Sequence, residues 1–169
     1  ALGQDWDSIR AGLSSFVSDA QSVPGRFNLF DYRGATLIAD YGHNPDAIIA
    51  LTQAVDALPA RRRLVVISGA GDRRDVDLKR QTELLGDAFD EVILYQDACQ
   101  RGRADGEVIG LLREGLSQAK RTTHIEAING EFVAIDAALS RLQAGDVCLV
   151  LIDQVEAALA HIAQRVAEG

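Results

Sequence analysis

Three short stretches of the chain concentrate side chains that do chemistry. In "DYGHNPDA", residues 40–47, a carboxylate, an imidazole and an amide stand close together as Asp40, His43 and Asn44. Asn44 before Pro45 reads as a helix start: asparagine accepts from the first free amides, and proline suits the first helical position. Gly42 reads as the residue that allows an unusual backbone angle. Asp40 and His43 are left over once those needs are met. A carboxylate beside a helix N-terminus can hold ribose hydroxyls, and the free amides and helix dipole favour a phosphate. Alternatively, Asp40 bonds loop amides and His43 is solvated; spacing leaves both readings open. No second metal ligand stands at a suitable spacing from His43, so no metal site is expected.

The second stretch is "SGAGDRRDVD", residues 68–77. Gly69 and Gly71 would let the backbone approach a ligand closely. Arg73 and Arg74 can meet phosphate or carboxylate. Asp72 and Asp75 could orient those arginines, while Asp75 or Asp77 could cap the next helix. The third stretch is "DACQRGRADGE", residues 97–107, where Arg101 and Arg103 flank Gly102. They suit the carboxylate of an amino acid or peptide, or they form a solvated basic turn. Arg26, in "PGRF", is isolated, and Asp153 reads as a cap for the last helix rather than a catalytic acid. Neither the GxGxxG fingerprint nor a GxxxxGK[ST] phosphate loop is present.

These stretches need strands and helices to hold them. "RFNLF" and "ATLIAD" flank the turn-like "DYRG" and read as an antiparallel hairpin. Beyond it the chain alternates. Helical apolar spacing marks residues 45–58, 78–89, 105–117, a stretch led by Phe132 and Ile135, and a last one from Val155 to Val166. Asn129 reads as the cap of the fourth of these, with Gly145 near its end. Apolar runs at 63–68, 91–96, 124–128 and 147–152 read as strands between them. Such alternation implies βαβ units. The fold expected is α/β, a Rossmann-like three-layer sandwich of about six strands, mostly parallel with the first antiparallel, and helices on both faces. In such sheets ligands bind beyond the carboxyl ends of the strands, where all three polar stretches fall. Upstream, Trp6, Ile9, Leu13 and Phe16 share one helical face, followed by the linker-like "SDAQSVPG".

Composition narrows the function classes. A net charge of −8 argues against nonspecific nucleic-acid binding. No window approaches the roughly 18 apolar residues of a membrane span, and no leader opens the given sequence. Two cysteines, Cys99 and Cys148, make no disulfide framework, so a reducing cytoplasm is the expected location. Of 17 basic side chains only Lys79 and Lys120 are lysines. A GC-rich genome would produce that bias, and so would selection for anion recognition. Methionine is absent; either the initiator was removed or the chain was cut from a longer one.

Taken in order, "PGRF", "DYGHNPDA", "GAGDRRD" and "RGRADGE" resemble the C-terminal domain of the Mur ligase superfamily. "DYGHNP" is similar to the D-x-A/G-H-N/T-P of Mur and folylpolyglutamate ligases. The whole set is most similar to the Mur-like part of cyanophycin synthetases. The resemblance covers residues 22–169, as a lid domain, and leaves 1–21 as the helical tail of a preceding central domain plus linker. It implies an ADP-forming, ATP- and Mg2+-dependent acid–amino-acid ligase working through an acyl phosphate. The cyanophycin type would add arginine to the aspartate side chains of an acidic peptide backbone. Arg26, Asp40, His43 and Asn44 would then meet the nucleotide, with His43 the one candidate for a catalytic part. Gly69, Gly71, Asp72 and Arg73 would face the central ATPase domain on closure, and Arg101 and Arg103 would hold the incoming amino acid. The magnesium ligands would lie mainly on the central domain, the isolated lid would be inactive, and the full-length enzyme would be a homo-oligomer. Another Mur-type ligase, acting on peptidoglycan precursors or folate, and a non-catalytic binding module are the alternatives.

Overall fold

The computed structural model describes residues 23–96 and 100–169. The helix expected over 5–16, all of its linker but residues 23–25, and Cys99 lie outside them. Two strands, β1 (Asn28–Tyr32) and β2 (Ala35–Asp40), form the hairpin. Arg33 and Gly34 make its turn, both in the left-handed region at φ 54° and 78°. After them come α1 (Pro45–Asp56), β3 (Arg63–Ile67), α2 (Asp75–Ala88), β4 (Glu91–Gln96) and α3 (Glu107–Gly115). The described chain continues through a short 3-10 turn to β5 (His124–Asn129), α4 (Glu131–Arg141), β6 (Val147–Leu151) and α5 (Val155–Glu168).

The sheet runs β1-β2-β6-β3-β4-β5. β1 is antiparallel to β2 and every other pairing is parallel. Strand periodicity divides the core. Leu64 and Val66 of β3 pack with α4 and α5 on one face, while Val65 and Ile67 pack with α1, α2 and α3 on the other. β6 does the same, and all five of its residues are buried, as its unbroken apolar run requires of a strand covered on both faces. The expected three-layer α/β fold is the one observed.

Topology makes the crevice. β2 and β6 are neighbours, yet β2 feeds α1 on one face and β6 feeds α5 on the other. The loops leaving their carboxyl ends therefore diverge, which is where a doubly wound sheet opens a cleft.

Local readings are corrected at several places. α2 begins at Asp75, one turn before the first apolar residue that marked it. Its first turn carries Val76, which is 61% exposed and so contributes no buried stripe. Asp75 and Asp77 lie inside that turn rather than capping it. Asn129 ends β5, and Gly130 at φ 95° starts α4 instead. Gln154, not Asp153, occupies the cap position of α5. Asn44 does cap α1, accepting from the Ala47 amide at 2.9 Å, with Pro45 in the first position.

Candidate functional site

The β2–α1 loop is built on Asp40. Its two carboxylate oxygens accept the Gly42 amide at 2.6 Å and the Phe27 amide at 2.8 Å. The side chain is almost fully buried. Asp40 therefore ties the segment before β1 to the loop after β2, and bonding of loop amides is the reading its geometry favours. Gly42 has no left-handed φ. A β-carbon there would sit 2.8 Å from Asp40 Oδ1 and 3.0 Å from Leu51 Cδ1, so glycine is needed for close packing, not for an unusual angle.

Arg26 is presented by a second device. Buried Asn28 accepts the Gly25 amide at 2.7 Å and donates to the Val23 carbonyl at 3.0 Å. Gly25 in turn accepts from the Tyr41 amide at 3.0 Å. The Pro-Gly turn is thus locked against the β2–α1 loop, with Arg26 at its tip.

His43 is not solvated; it is only 9% exposed. Its Nδ1 lies 2.9 Å from the Tyr41 carbonyl, which can only accept, so Nδ1 carries the proton. Burial, the largest influence, pushes the imidazole below its usual range and keeps it neutral. Nε2 is then an acceptor lone pair, buried with no partner among the described residues. The Gln81 side chain clamps the His43 carbonyl at 2.6 Å, which fixes the backbone beneath the ring.

The two arginines of the third stretch part company. Arg103 donates to the Gly71 and Arg73 carbonyls, to Asp75 and to Glu107, each at 2.7 Å. With every edge of the guanidinium engaged, it staples the β3–α2 loop to the β4–α3 loop and does not line the cleft. Arg101, held at φ 50°, reaches into the cleft between Asp72 at 3.3 Å and Asp153 at 3.6 Å. Gly69 and Gly71 also turn inward. A β-carbon at Gly71 would lie 2.0 Å from the Gln100 carbonyl, and one at Gly69 would lie 2.6 Å from Leu78. The close approach these glycines permit is to the protein itself.

The result is a cleft of about 140 Å³ walled by Arg26, Tyr41, Gly42, His43, Asn44, Ala70, Arg73, Arg101 and Asp153. Four loops and the pre-β1 turn contribute to it. The volume is below the ~300 Å³ at which a pocket encloses a whole small ligand. Its chemistry suits one anionic group: three arginines and the N-terminus of α1 face one carboxylate. Arg73 makes no side-chain hydrogen bond or ion pair among the described residues. Asp153 was missed because an acid before a helix reads as a cap. Among the described residues no group of three or more His, Cys, Asp or Glu is placed to hold a metal ion. Nor is any described helix long and apolar enough to cross a membrane. A wider hollow of about 410 Å³ near Tyr32, Arg33 and Asp136 lies apart from these loops. Its Arg165 is bound to Asp136 and Glu168.

A family model described as Mur ligase, glutamate ligase domain matches residues 25–151. The chain belongs to that family. This Mur ligase C-terminal domain is 33% identical over 159 residues to the cyanophycin synthetase of Trichormus variabilis, covering 94% of the chain and 18% of that enzyme. It is 28% identical over 151 residues to the UDP-N-acetylmuramoyl-L-alanyl-D-glutamate–2,6-diaminopimelate ligase of Geobacillus kaustophilus, covering 89% of the chain and 29% of that ligase. Among solved structures, E. coli FolC in complex with ADP superposes with a TM-score of 0.67 at 26% identity, over 99% of this chain and 36% of FolC. The domain thus spans about a fifth to a third of the length of these relatives.

Proposed function

We propose that this Mur ligase C-terminal domain is the lid of an ADP-forming, ATP-dependent ligase that joins an amino acid to an acidic acceptor, of the cyanophycin synthetase type. The acceptor carboxylate is activated as an acyl phosphate with loss of ADP, and the incoming amine then displaces phosphate. In the proposed enzyme that amine belongs to arginine and the acceptor is an aspartate side chain of a peptide backbone. The observation that carries the reading is the arginine-walled cleft at the carboxyl ends of β2, β3, β4 and β6, too small to hold a nucleotide by itself. Such a wall suits a half-site that is completed when a second domain closes over it and excludes water.

Within the cleft, Arg26 and Arg73 would neutralise phosphate charge, and Arg101 would take the carboxylate of the incoming amino acid. His43 Nε2 offers an acceptor to a ligand hydroxyl or amine, and Asn44 presents the amides of α1. Asp40 serves by holding the Arg26 turn against the His43 loop. ATP brings Mg2+, whose ligands we place on the preceding central domain.

The test is ADP release and amide formation by the full-length ligase with arginine, lysine, glutamate and diaminopimelate, beside the same assay on this chain alone. Arginine-dependent ligation by the full-length enzyme, and none by the chain alone, is the expected result. Preference for diaminopimelate or glutamate would move the protein to another Mur-type activity. Ligation by the chain alone would overturn the lid reading.

A further inference from the structure

Glu131 takes no part in any motif of the sequence, yet it is a buried carboxylate that bonds the backbone of a cleft residue, Asp153. It is the first residue of α4 and only 2% exposed. Its Oε1 accepts the Asp153 amide at 2.8 Å and its Oε2 accepts the Gln154 amide at 3.1 Å. These are the last residues before α5, and no side chain of α5's own cap position bonds its free amides. An acid on one helix thus holds the two amides that lead into another. The effect reaches the cleft because Asp153 is the residue so fixed, and its carboxylate faces Arg101 at 3.6 Å.

Glu131 is itself held by the loops beneath it. The preceding Gly130 donates its amide to the Gln96 carbonyl at 2.9 Å, and the Gln96 side chain accepts the Gly106 amide at the start of α3 at 2.8 Å. Glu131 therefore sits at a junction that joins the ends of β4, β5 and β6. A carboxylate has no hydrogen to donate, so both of its oxygens can accept from adjacent amides. Burial of the charged form is unfavourable, which raises the proton affinity of Glu131, while the two amide bonds oppose that shift.

We propose that Glu131 is a positioning residue of the ligase cleft: by holding the Asp153 and Gln154 amides it sets Asp153 against Arg101, and so sets how Arg101 meets the incoming amino acid. The proposal rests on the ligase reading above. It differs from a plain packing role in one respect, namely that Glu131 acts through Asp153.

A double-mutant cycle in the full-length ligase separates the two. Glu131→Gln keeps the shape but turns one acceptor into a donor that faces an amide. Alone, it is expected to raise KM for the amino acid by roughly tenfold while KM for ATP stays within about twofold. Asp153→Asn is expected to raise the same KM. Glu131→Gln added to Asp153→Asn should then change it no further, because the residue through which Glu131 acts is already altered. Glu131→Asp, one methylene shorter, should recover part of the loss. Independent, multiplying effects, or a lowered melting temperature with both KM values unchanged, would overturn the proposal and leave the ligase reading intact. Absence of ATP-dependent ligation by the wild-type enzyme would remove both.

Discussion

The two ends of the sheet use arginine and carboxylate in opposite ways. At the amino ends of the strands the charges pair with each other. Asp146, fully buried, accepts from Arg61 at 3.2 Å and Arg62 at 3.1 Å. Glu91 meets Arg62 and Arg141, Arg141 reaches on to Glu126, and Asp90 takes Arg121 with both oxygens. At the carboxyl ends the buried acids ignore the arginines. Asp40 and Glu131 each accept from two backbone amides, which fixes loops and leaves Arg26, Arg73 and Arg101 facing a cleft. At one end the buried acids hold arginines; at the other they hold backbone, and arginines line a cleft. The same two residue types thus make a structural clasp or a binding wall, depending on whether the acids hold side chains or backbone.

The largest expected effect breaks the clasp. Asp146→Asn removes the charge from a buried carboxylate that also accepts the Gln143 amide. It should lower unfolding stability by about 2–3 kcal/mol, as a buried charged partner lost from arginine does. Urea denaturation measures it. A loss below about 0.5 kcal/mol would show that the amino-end pairs are ornamental.

Arg103→Ala tests the exception at the carboxyl end, since Arg103 behaves like an amino-end residue. Losing its bonds to Gly71, Arg73, Asp75 and Glu107 should lower the unfolding midpoint, by less than Asp146→Asn does because both acids are exposed. An effect on ligation without any on stability would move Arg103 into the binding wall.

A smaller effect sharpens the cleft side. The His43 imidazole has its pKa lowered from 6.5 by burial. A folded-state value depressed below the unfolded one means that the stability due to neutral His43 is complete above about pH 6.5 and declines as pH falls from there. Wild type should lose up to roughly 1 kcal/mol more than His43→Gln between pH 7.5 and 5.5. Parallel losses in denaturant titrations at the two pH values would show that His43 is solvated after all.

These contrasts also mark what the sequence could tell. Strand and helix periods, the Asn44-Pro45 start and the antiparallel hairpin were legible, because each depends on near neighbours. The position of the cleft followed from the alternation of elements. The division of labour inside it did not. Arg101 and Arg103 stand two residues apart in one loop, and only the packing of the β3–α2 loop against them makes one a cleft residue and the other a staple. Asp153 resembles an ordinary cap by position, while its own amide is held by Glu131, a residue 22 positions away in sequence. Gly69 and Gly71 looked like openings for a ligand because the sequence cannot show that Leu78 and the Gln100 carbonyl fill that space.

The cleft arginines Arg26, Arg73 and Arg101, unlike Arg103, are expected to serve the reaction and not the fold. Arg73 tests it most directly, because it lines the cleft and, among the described residues, its side chain makes no hydrogen bond or ion pair, with only the charge of Asp77 nearby. The measurement is kcat/KM for ATP in the full-length ligase carrying Arg73→Ala, with the unfolding midpoint of the same variant. The expected result is a fall of roughly 10- to 100-fold with stability within about 0.5 kcal/mol of wild type. Wild-type kcat/KM in a fully folded variant would contradict it.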